Sequence, residues 1–150
     1  MNIFVTDPNP VISAQRLDDK RVVKMVLESA QMLSTAIWEC GGTGFYKKTH
    51  TNHPCSIWAR TTKKNYIWLY NHFQALLQEY TARYRKTHKC ADYIPDIIKG
   101  FDLIPDGDLT PFANCTTYKE ETNIHKAYQM FMCDKWENDK RTPRWYGVER

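Results

Sequence analysis

One carboxylate lies among cations in the most regular helical pattern of the sequence. Glu28 shares the polar face of this pattern with three cations, Lys20, Arg21 and Lys24. In the first of two interpretations, Lys24 and Glu28 form an exposed pair at i,i+4 spacing, which stabilises a helix by about 0.2–0.5 kcal/mol. In the second, Glu28 is a catalytic carboxylate in an electropositive cleft whose cations bind phosphates.

The histidines and cysteines are the second set of residues with chemical potential. Together with Glu79 or Asp92, four histidines offer ligands for a metal-assisted hydrolase: His50, His53, His72 and His88. Their spacing matches no signature such as H-E-x-x-H, and a histidine in a polar loop is more often a hydrogen-bonding partner. Five cysteines are widely separated and form no C-x-x-C pair: Cys40, Cys55, Cys90, Cys115 and Cys133. This pattern argues against a disulfide framework and a cysteine-rich zinc site, so we expect reduced thiols, no metal and no other cofactor.

The C-terminal residues combine cations with flat aromatic rings: Arg141, Arg144, Trp145 and Tyr146. Such a composition suits nucleic acid, because cations bind phosphates and rings stack on bases. A second interpretation is a C-terminal segment that docks on the core through Trp145. The sequence favours neither interpretation over the other.

Periodic apolar segments predict the helices that position these residues. A helical pattern runs from about Val11 to Trp38 and ends at a glycine-rich turn over 41–44. A second pattern begins at Pro54 and runs to about Lys89, either as one helix or as two with a break near residues 61–62. A short helix over 91–100 and a last helix over 123–137 follow. The sequence therefore predicts an all-α fold: a small single-domain helical bundle over residues 1–150, with irregular loops and a short N-terminal extended segment.

Composition and charge exclude several classes of protein. The chain has 150 residues, of which 42% are hydrophobic and 25% charged, as in ordinary globular domains and unlike disordered chains. No apolar run approaches the roughly 20 residues that span a bilayer. Because the first residues lack the features of a secretory signal, we expect a cytoplasmic protein. We also expect a monomer. A net charge of +4 permits contact with DNA but does not require it.

Several short motifs, in order, resemble the pyrimidine-dimer DNA glycosylases, a family of small all-α repair enzymes. The run LDDKRVVKMVLE from Leu17 to Glu28 resembles the first-helix motif of that family, which ends in the catalytic glutamate. The N-H-P at 52–54 is similar to that of bacterial members, and the R-W-Y-G at 144–147 to an aromatic tail. Five further residues follow the order of a second-helix region: His72, Leu77, Glu79, Arg83 and His88. The chain differs from the family pattern in having Arg21 for a histidine, Leu27 for an arginine and Tyr84-Arg85 for G-Y.

The resemblance implies a DNA glycosylase and AP lyase that acts on damaged or modified pyrimidines in double-stranded DNA. These enzymes attack the sugar with their own α-amine, a group that titrates near 7.7–8.0 in general, against about 10.4 for lysine. The catalytic residues would be Glu28 and the N-terminal residue, either Met1 or, after its removal, Asn2. We expect the DNA contacts to come from Arg16, Lys20, Arg21, Lys24, Lys47, Lys48, His53, Arg60, Arg144, Trp145 and Tyr146.

The overall pattern is also similar to bacteriophage proteins of the same length, which implies a phage origin and residence in a host bacterial cytoplasm. Two alternatives remain open from the sequence. One is a non-catalytic nucleic-acid or nucleotide-binding protein on the same fold. The other is the metal-assisted hydrolase, built on His50, His53 and His88.

Overall fold

Six α-helices and two 3-10 turns make up the regular structure of residues 1–146, which are the residues that the computed structural model describes. The α-helices are α1 (Pro10–Gln15), α2 (Asp19–Glu39), α3 (Pro54–Thr61), α4 (Lys63–Tyr84), α5 (Ile94–Lys99) and α6 (Ile124–Asn138). The 3-10 turns, Lys89–Tyr93 and Gly100–Asp102, flank α5. These residues contain no strand, and the predicted all-α fold is confirmed. Over the same residues, no helix has both the length and the apolar character needed to cross a bilayer.

The segment from Val11 to Trp38, predicted as a single helical pattern, forms two helices, α1 and α2. Asn9 caps α1 by accepting hydrogen bonds from the backbone N–H groups of Val11 and Ile12. Asp18 has extended backbone angles and caps α2 by accepting from the N–H of Arg21. The preceding Leu17, which the helical pattern puts on the polar face, is fully buried at the junction. A polar cap therefore interrupts the apolar periodicity.

A similar cap separates α3 from α4. Pro54 occupies the first turn of α3, where a missing N–H costs nothing. Thr62 then has extended backbone angles, and its hydroxyl accepts a hydrogen bond from the N–H of Asn65. Of the two alternatives for this segment, the break near residues 61–62 is confirmed.

The core lies where α2 packs on α3 and α4 and where α1 packs on α4. Its fully buried large side chains come mostly from α2, α4 and α6, and include Met32, Leu33, Tyr66, Leu69, Phe73, Tyr128 and Met132. Arg83, in the last turn of α4, fixes the junction between α1 and α2. Its guanidinium donates to the carbonyls of Gln15 and Leu17 and to the carboxylates of Asp19 and Glu79. This buried ion cluster determines where α2 begins.

Residues 1–6 precede the helices and pass through the interior of the fold. Residues 2–6 are all buried. The carbonyl of Phe4 accepts from the hydroxyl of Ser13, and the carbonyl of Thr6 accepts from Arg16 and from Gln129 of α6. Side chains from both ends of the chain therefore hold the N-terminal segment in place.

Candidate active site

The N-terminal amine and Glu28 meet at one point of the structure. The amine nitrogen of Met1 lies 3.5 Å from Oε1 of Glu28. The Met1 side chain is only 1% exposed and the Glu28 side chain 14%. Because Met1 as a whole is partly exposed, its accessible surface belongs to the main chain, which includes the amine. An amine and a carboxylate at the protein surface are thus paired, with the Met1 side chain anchored beneath them.

The Met1 side chain and Asn2 fix the amine in this position. The sulfur of Met1 accepts a hydrogen bond from the hydroxyl of Ser56 in α3. Oδ1 of Asn2 accepts from the N–H groups of Ile3 and Phe4, and its Nδ2 donates to the carbonyl of Cys115. Asn2 is the predicted source of the amine if Met1 is removed. In the structure, which contains Met1, the Asn2 side chain is buried and makes these three hydrogen bonds.

The N-terminal segment turns tightly at Phe4, whose carbonyl accepts a hydrogen bond from the N–H of Thr6. Phe4 has a φ of 56°, in the left-handed region that costs a residue with a side chain about 1 kcal/mol. Its ring packs on that of Phe131 with centroids 6.3 Å apart, and the ammonium of Lys135 lies over the Phe131 ring. Aromatic packing therefore offsets backbone strain next to the amine.

The loop between α2 and α3 brings a histidine to the same site. The hydroxyl of Ser34 bonds to both the carbonyl and the N–H of Tyr46, and the indole of Trp38 donates to the same carbonyl. Thr35 pairs in the same way with the backbone of Thr49. These contacts hold the loop along α2, about two to three turns beyond Glu28.

His53 ends this loop and caps α3 by accepting a hydrogen bond from the N–H of Cys55. Burial, the charge of the N-terminal amine and His50 lower the pKa of His53, while Glu28 opposes the shift. The imidazole therefore lies within electrostatic reach of the amine and the carboxylate. Lys24 completes the surroundings, with Nζ 4.0 Å from Oε2 of Glu28. The Lys24–Glu28 pair of the first interpretation exists together with the contact to the amine.

The other cations predicted to bind DNA fall into two groups. Lys20, Lys24, Lys47 and Lys48 are exposed, although Lys48 also lies 3.6 Å from a carboxylate oxygen of Glu39. By contrast, the guanidinium groups of three arginines bind protein atoms: Arg16 contacts Thr6 and Asp7, Arg21 contacts Asp18 and Asp139, and Arg60 contacts the carbonyl of Thr51. Arg21 in particular makes two parallel hydrogen bonds to Asp139, which neutralise its charge.

The C-terminal residues pack on the protein as far as Tyr146. The indole of Trp145 donates to the carbonyl of Arg16, and its ring contacts Trp136 with centroids 5.0 Å apart. The carbonyl of Arg144 accepts from the N–H of Asp19, and the N–H of Tyr146 donates to the Asp19 carboxylate. These contacts support the docked-tail interpretation for Trp145, while the side chain of Tyr146 remains exposed. Gly147 of the R-W-Y-G motif lies outside the described residues.

The histidines of the hydrolase alternative are in separate environments. His72 is buried on Trp68 and donates through Nδ1 to the carbonyl of Pro10. His88 caps the 3-10 turn at Cys90 and contacts the ring of Tyr80. Within residues 1–146, His50, His53 and His88 do not form a group with the spacing of metal ligands.

A different group does have that spacing. His53, Cys55 and Cys115 have ligand atoms that all lie within 4.8 Å of one another. The sulfurs of Cys55 and Cys115 are 3.6 Å apart, and their hydrogen bond lowers the pKa of the Cys115 thiol. Sequence reasoning missed this group because 60 residues separate its two cysteines, so no local spacing could indicate it.

A cavity lies elsewhere in the described part of the chain. It measures about 620 Å³ and is lined by Thr6, Ile12, Gln15, Arg16, Gln129, Cys133, Trp136 and Trp145. The cavity includes neither Met1 nor Glu28.

Comparison with known protein families gives a match. The model of the family described as pyrimidine dimer DNA glycosylase matches residues 1–92. This range contains the N-terminal segment, α1 to α4 and the loop that carries His53, but ends before Cys115 and α6. No curated protein and no solved structure matches the chain.

Proposed function

Because the chain belongs to the pyrimidine dimer DNA glycosylase family, we propose that it cleaves the N-glycosidic bond of damaged or modified pyrimidines in double-stranded DNA through an imine formed by the α-amine of Met1. The observation that carries the proposal is the 3.5 Å contact between this amine and Glu28. The N-terminal amine and the polar face of α2 meet at this contact. Here the Met1 side chain, Asn2 and the loop to His53 all contribute to that meeting.

The first chemical step is displacement of the base. Glu28 accepts a proton from the ammonium group, and the nitrogen lone pair attacks C1′ of the sugar. The bond from C1′ to the base breaks, and its electron pair leaves with the base, which takes up the proton that Glu28 accepted and so returns Glu28 to its carboxylate form. The carboxylate of Glu28 stabilises the positive charge that develops on the sugar, since it is held next to the attacking nitrogen.

The lyase step follows from the same intermediate. Opening of the sugar ring moves the C1′–O4′ electron pair onto O4′, which is protonated, and leaves a cationic imine between C1′ and the Met1 nitrogen. Removal of a proton from C2′ then expels the 3′ phosphate by β-elimination, with Glu28 as the base. Hydrolysis of the imine returns the free amine and releases the sugar fragment.

Exposed lysines are the proposed contacts to the phosphates of the DNA backbone. We assign phosphate contacts to Lys20 and Lys24 on α2 and to Lys47 and Lys48 in the following loop, since their ammonium groups are exposed. Extruding a nucleotide costs a few kcal/mol, which backbone contacts offset. Arg21 is left out of this set because Asp18 and Asp139 already occupy its guanidinium.

The test is borohydride trapping of the imine. Duplexes that carry a cyclobutane pyrimidine dimer or an abasic site are incubated with the protein and reduced, and covalent adducts are separated on a denaturing gel. We expect an adduct that maps to Met1 by peptide mass and that disappears when the α-amine is selectively acetylated. A matched sample acetylated after DNA binding should retain the adduct.

Two outcomes would overturn parts of this proposal. An adduct that survives α-amine acetylation would move the nucleophile to a lysine. The absence of any adduct on intact substrates, together with retained DNA binding, would favour the non-catalytic nucleic-acid-binding alternative.

A further inference from the structure

Three side chains beside the N-terminal segment converge without any role in the proposed reaction. Cys55 lies in the first turn of α3, directly after the cap residue His53 and Pro54. Cys115 belongs to the irregular stretch before α6. Its sulfur lies 3.6 Å from that of Cys55, and a ring nitrogen of His53 is within 4.8 Å of both sulfurs. Two thiols and an imidazole are thus brought together from parts of the chain 60 residues apart.

The separation of the two sulfurs, 3.6 Å, is close to that of two sulfur ligands on one tetrahedral ion. With Zn–S bonds of about 2.3 Å and Zn–N bonds of about 2.0 Å, tetrahedral angles put two sulfurs about 3.8 Å apart and a sulfur and a nitrogen about 3.5 Å apart. A disulfide, in contrast, needs its sulfurs at about 2.05 Å. The observed sulfur separation therefore needs almost no adjustment for a shared ion, but a movement of more than an ångström for a covalent bond.

Hydrogen bonds around the three residues hold them in place. The N–H of Cys55 donates to Nδ1 of His53. The N–H of Cys115 donates to the hydroxyl of Tyr128, and the carbonyl of Cys115 accepts from Asn2. Such outer contacts orient metal ligands and stabilise their charged forms.

We infer that His53, Cys55 and Cys115 form a zinc site beside the N-terminal segment. Sulfur and imidazole ligands select zinc over harder cations such as Mg²⁺ and Ca²⁺. Three protein ligands leave the fourth position of a tetrahedral ion to a water molecule. This site departs from the sequence-based expectation of no metal, and it does not depend on the proposed reaction.

The site is electrostatically compatible with the amine and Glu28. A Zn²⁺ ion bound by two thiolates and a neutral imidazole has no net charge, the same as two thiols and the imidazole without metal. Occupation therefore adds no net charge near the Met1 amine. The bound zinc joins the end of the α2–α3 loop to the stretch that contains Cys115. The carbonyl of Cys115 in turn accepts a hydrogen bond from Asn2. Because metal affinity of a site formed by folding is also folding free energy, zinc stabilises this corner of the protein.

The test uses the full chain, purified under reducing conditions and stripped of metal. Zinc content after re-addition and dialysis is measured by elemental analysis, and Co²⁺ is titrated as a spectroscopic probe. We expect one equivalent of either metal, and for Co²⁺ the sulfur-to-cobalt charge-transfer band and the intense visible bands of a tetrahedral thiolate complex. Zinc should displace cobalt and abolish these bands.

Matched cysteine variants identify the ligands. Cys115→Ser should weaken Co²⁺ binding at least tenfold and reduce the charge-transfer band, whereas Cys133→Ser, on the exposed face of α6, should leave both unchanged. His53→Gln should keep the charge-transfer band but shift the visible bands, since one nitrogen ligand is lost. Circular dichroism checks that each variant is folded.

Several results would overturn the inference. One is the absence of a charge-transfer band in the wild-type protein at stoichiometric Co²⁺. Another is equal metal affinity of wild type and Cys115→Ser. If Cys115→Ser does not fold, the alkylation rates of the wild-type cysteines test whether Cys115 is a ligand. Zinc should slow the modification of Cys115 and leave that of Cys133 unaffected. Equal rates for Cys115 with and without zinc would exclude it as a ligand.

Discussion

At the scale of single residues, Glu28 has two contacts that separate its possible roles. Its Oε1 faces the Met1 amine at 3.5 Å, and its Oε2 faces the Lys24 ammonium at 4.0 Å. Lys24 is 69% exposed, so the pair with Lys24 contributes little to stability. The amine contact is the one that a catalytic role requires.

Glu28→Gln should therefore lower activity and leave folding intact. The amide has the shape of the carboxylate but accepts no proton, so we expect base release and imine trapping to slow by about 100-fold or more. The control is Glu39→Gln at the end of the same helix, where the carboxylate pairs with Lys48. Rates are measured on the pyrimidine-dimer duplex, and melting temperatures of both variants are compared with wild type. Near wild-type trapping by Glu28→Gln would remove this residue from the mechanism.

The sequence indicates Glu28 and the N-terminus as candidate catalytic groups, but it does not predict the contact between them. The cationic neighbours of Glu28 and the family motif that ends in it indicate this residue. The contact with Met1 depends instead on hydrogen bonds such as that from Asn2 to Cys115, across 113 residues. No periodicity or local spacing encodes such a contact, which is also why the His53–Cys55–Cys115 group was not predicted.

At the scale of elements, local capping chemistry explains what the sequence predicted well. Pro54 and Thr62 are recognisable as helix starts, and the structure has α3 and α4 beginning there. The merging of α1 and α2 into one predicted helix has a local cause as well. The Asp18 cap is local, whereas the burial of Leu17 and the hydrogen bond from Arg83 to its carbonyl depend on a distant helix.

The N-terminal segment is the element that positions the amine, and Asn2→Ala tests it. Loss of this side chain leaves the N–H groups of Ile3 and Phe4 without their acceptor, which should cost about 1–3 kcal/mol of stability. We also expect imine formation to slow by about tenfold or more in the folded protein, because the amine loses its fixed position.

Asn9→Ala is the matched control for this prediction. Asn9 also accepts two backbone N–H bonds, at the start of α1, and its loss should cost about 1 kcal/mol. Urea unfolding measures stability, and single-turnover trapping measures the rate. Equal trapping rates in the two variants would show that Asn2 has only a structural role.

At the scale of the whole molecule, exposed cations determine how binding to DNA responds to salt. Lys20 and Lys24 lie one turn apart on α2, next to the Glu28 site. Replacing both with Gln should reduce the slope of log K against log salt by about 2, since each phosphate contact contributes about 0.9. The control, Lys63→Gln with Lys64→Gln, removes two lysines paired with Asp106 and Asp108 and should leave the slope unchanged. Equal slopes for both double variants would make Lys20 and Lys24 ordinary surface cations.

The global stability should depend on pH through His72. Burial lowers the pKa of His72 to about 4 in the folded protein, from an ordinary value of 6.5. Between these values the unfolded chain binds a proton that the folded protein does not. The free energy of unfolding should therefore be unaffected by His72 above pH 6.5 and fall as pH decreases toward 4, by on the order of 3 kcal/mol.

Urea unfolding of His72→Asn between pH 7.5 and pH 4 tests this dependence. The amide can still donate to the carbonyl of Pro10, so the main change is the loss of the titrating group. We expect a flatter pH profile than that of wild type. His50→Asn, which removes an exposed histidine, should retain the wild-type profile. Identical profiles for His72→Asn and wild type would contradict the assignment.

The hydrogen bonds that hold the N-terminal segment also set the order in which the protein can be assembled. Asn2, Val5 and Thr6 bind partners 113, 120 and 123 residues later in the sequence. During synthesis, these three contacts can form only after residues 115–129 have emerged. Closing so long a loop costs entropy that local helix formation does not, so α1 to α4 can form earlier. The N-terminal segment is therefore made well before the residues that complete its contacts.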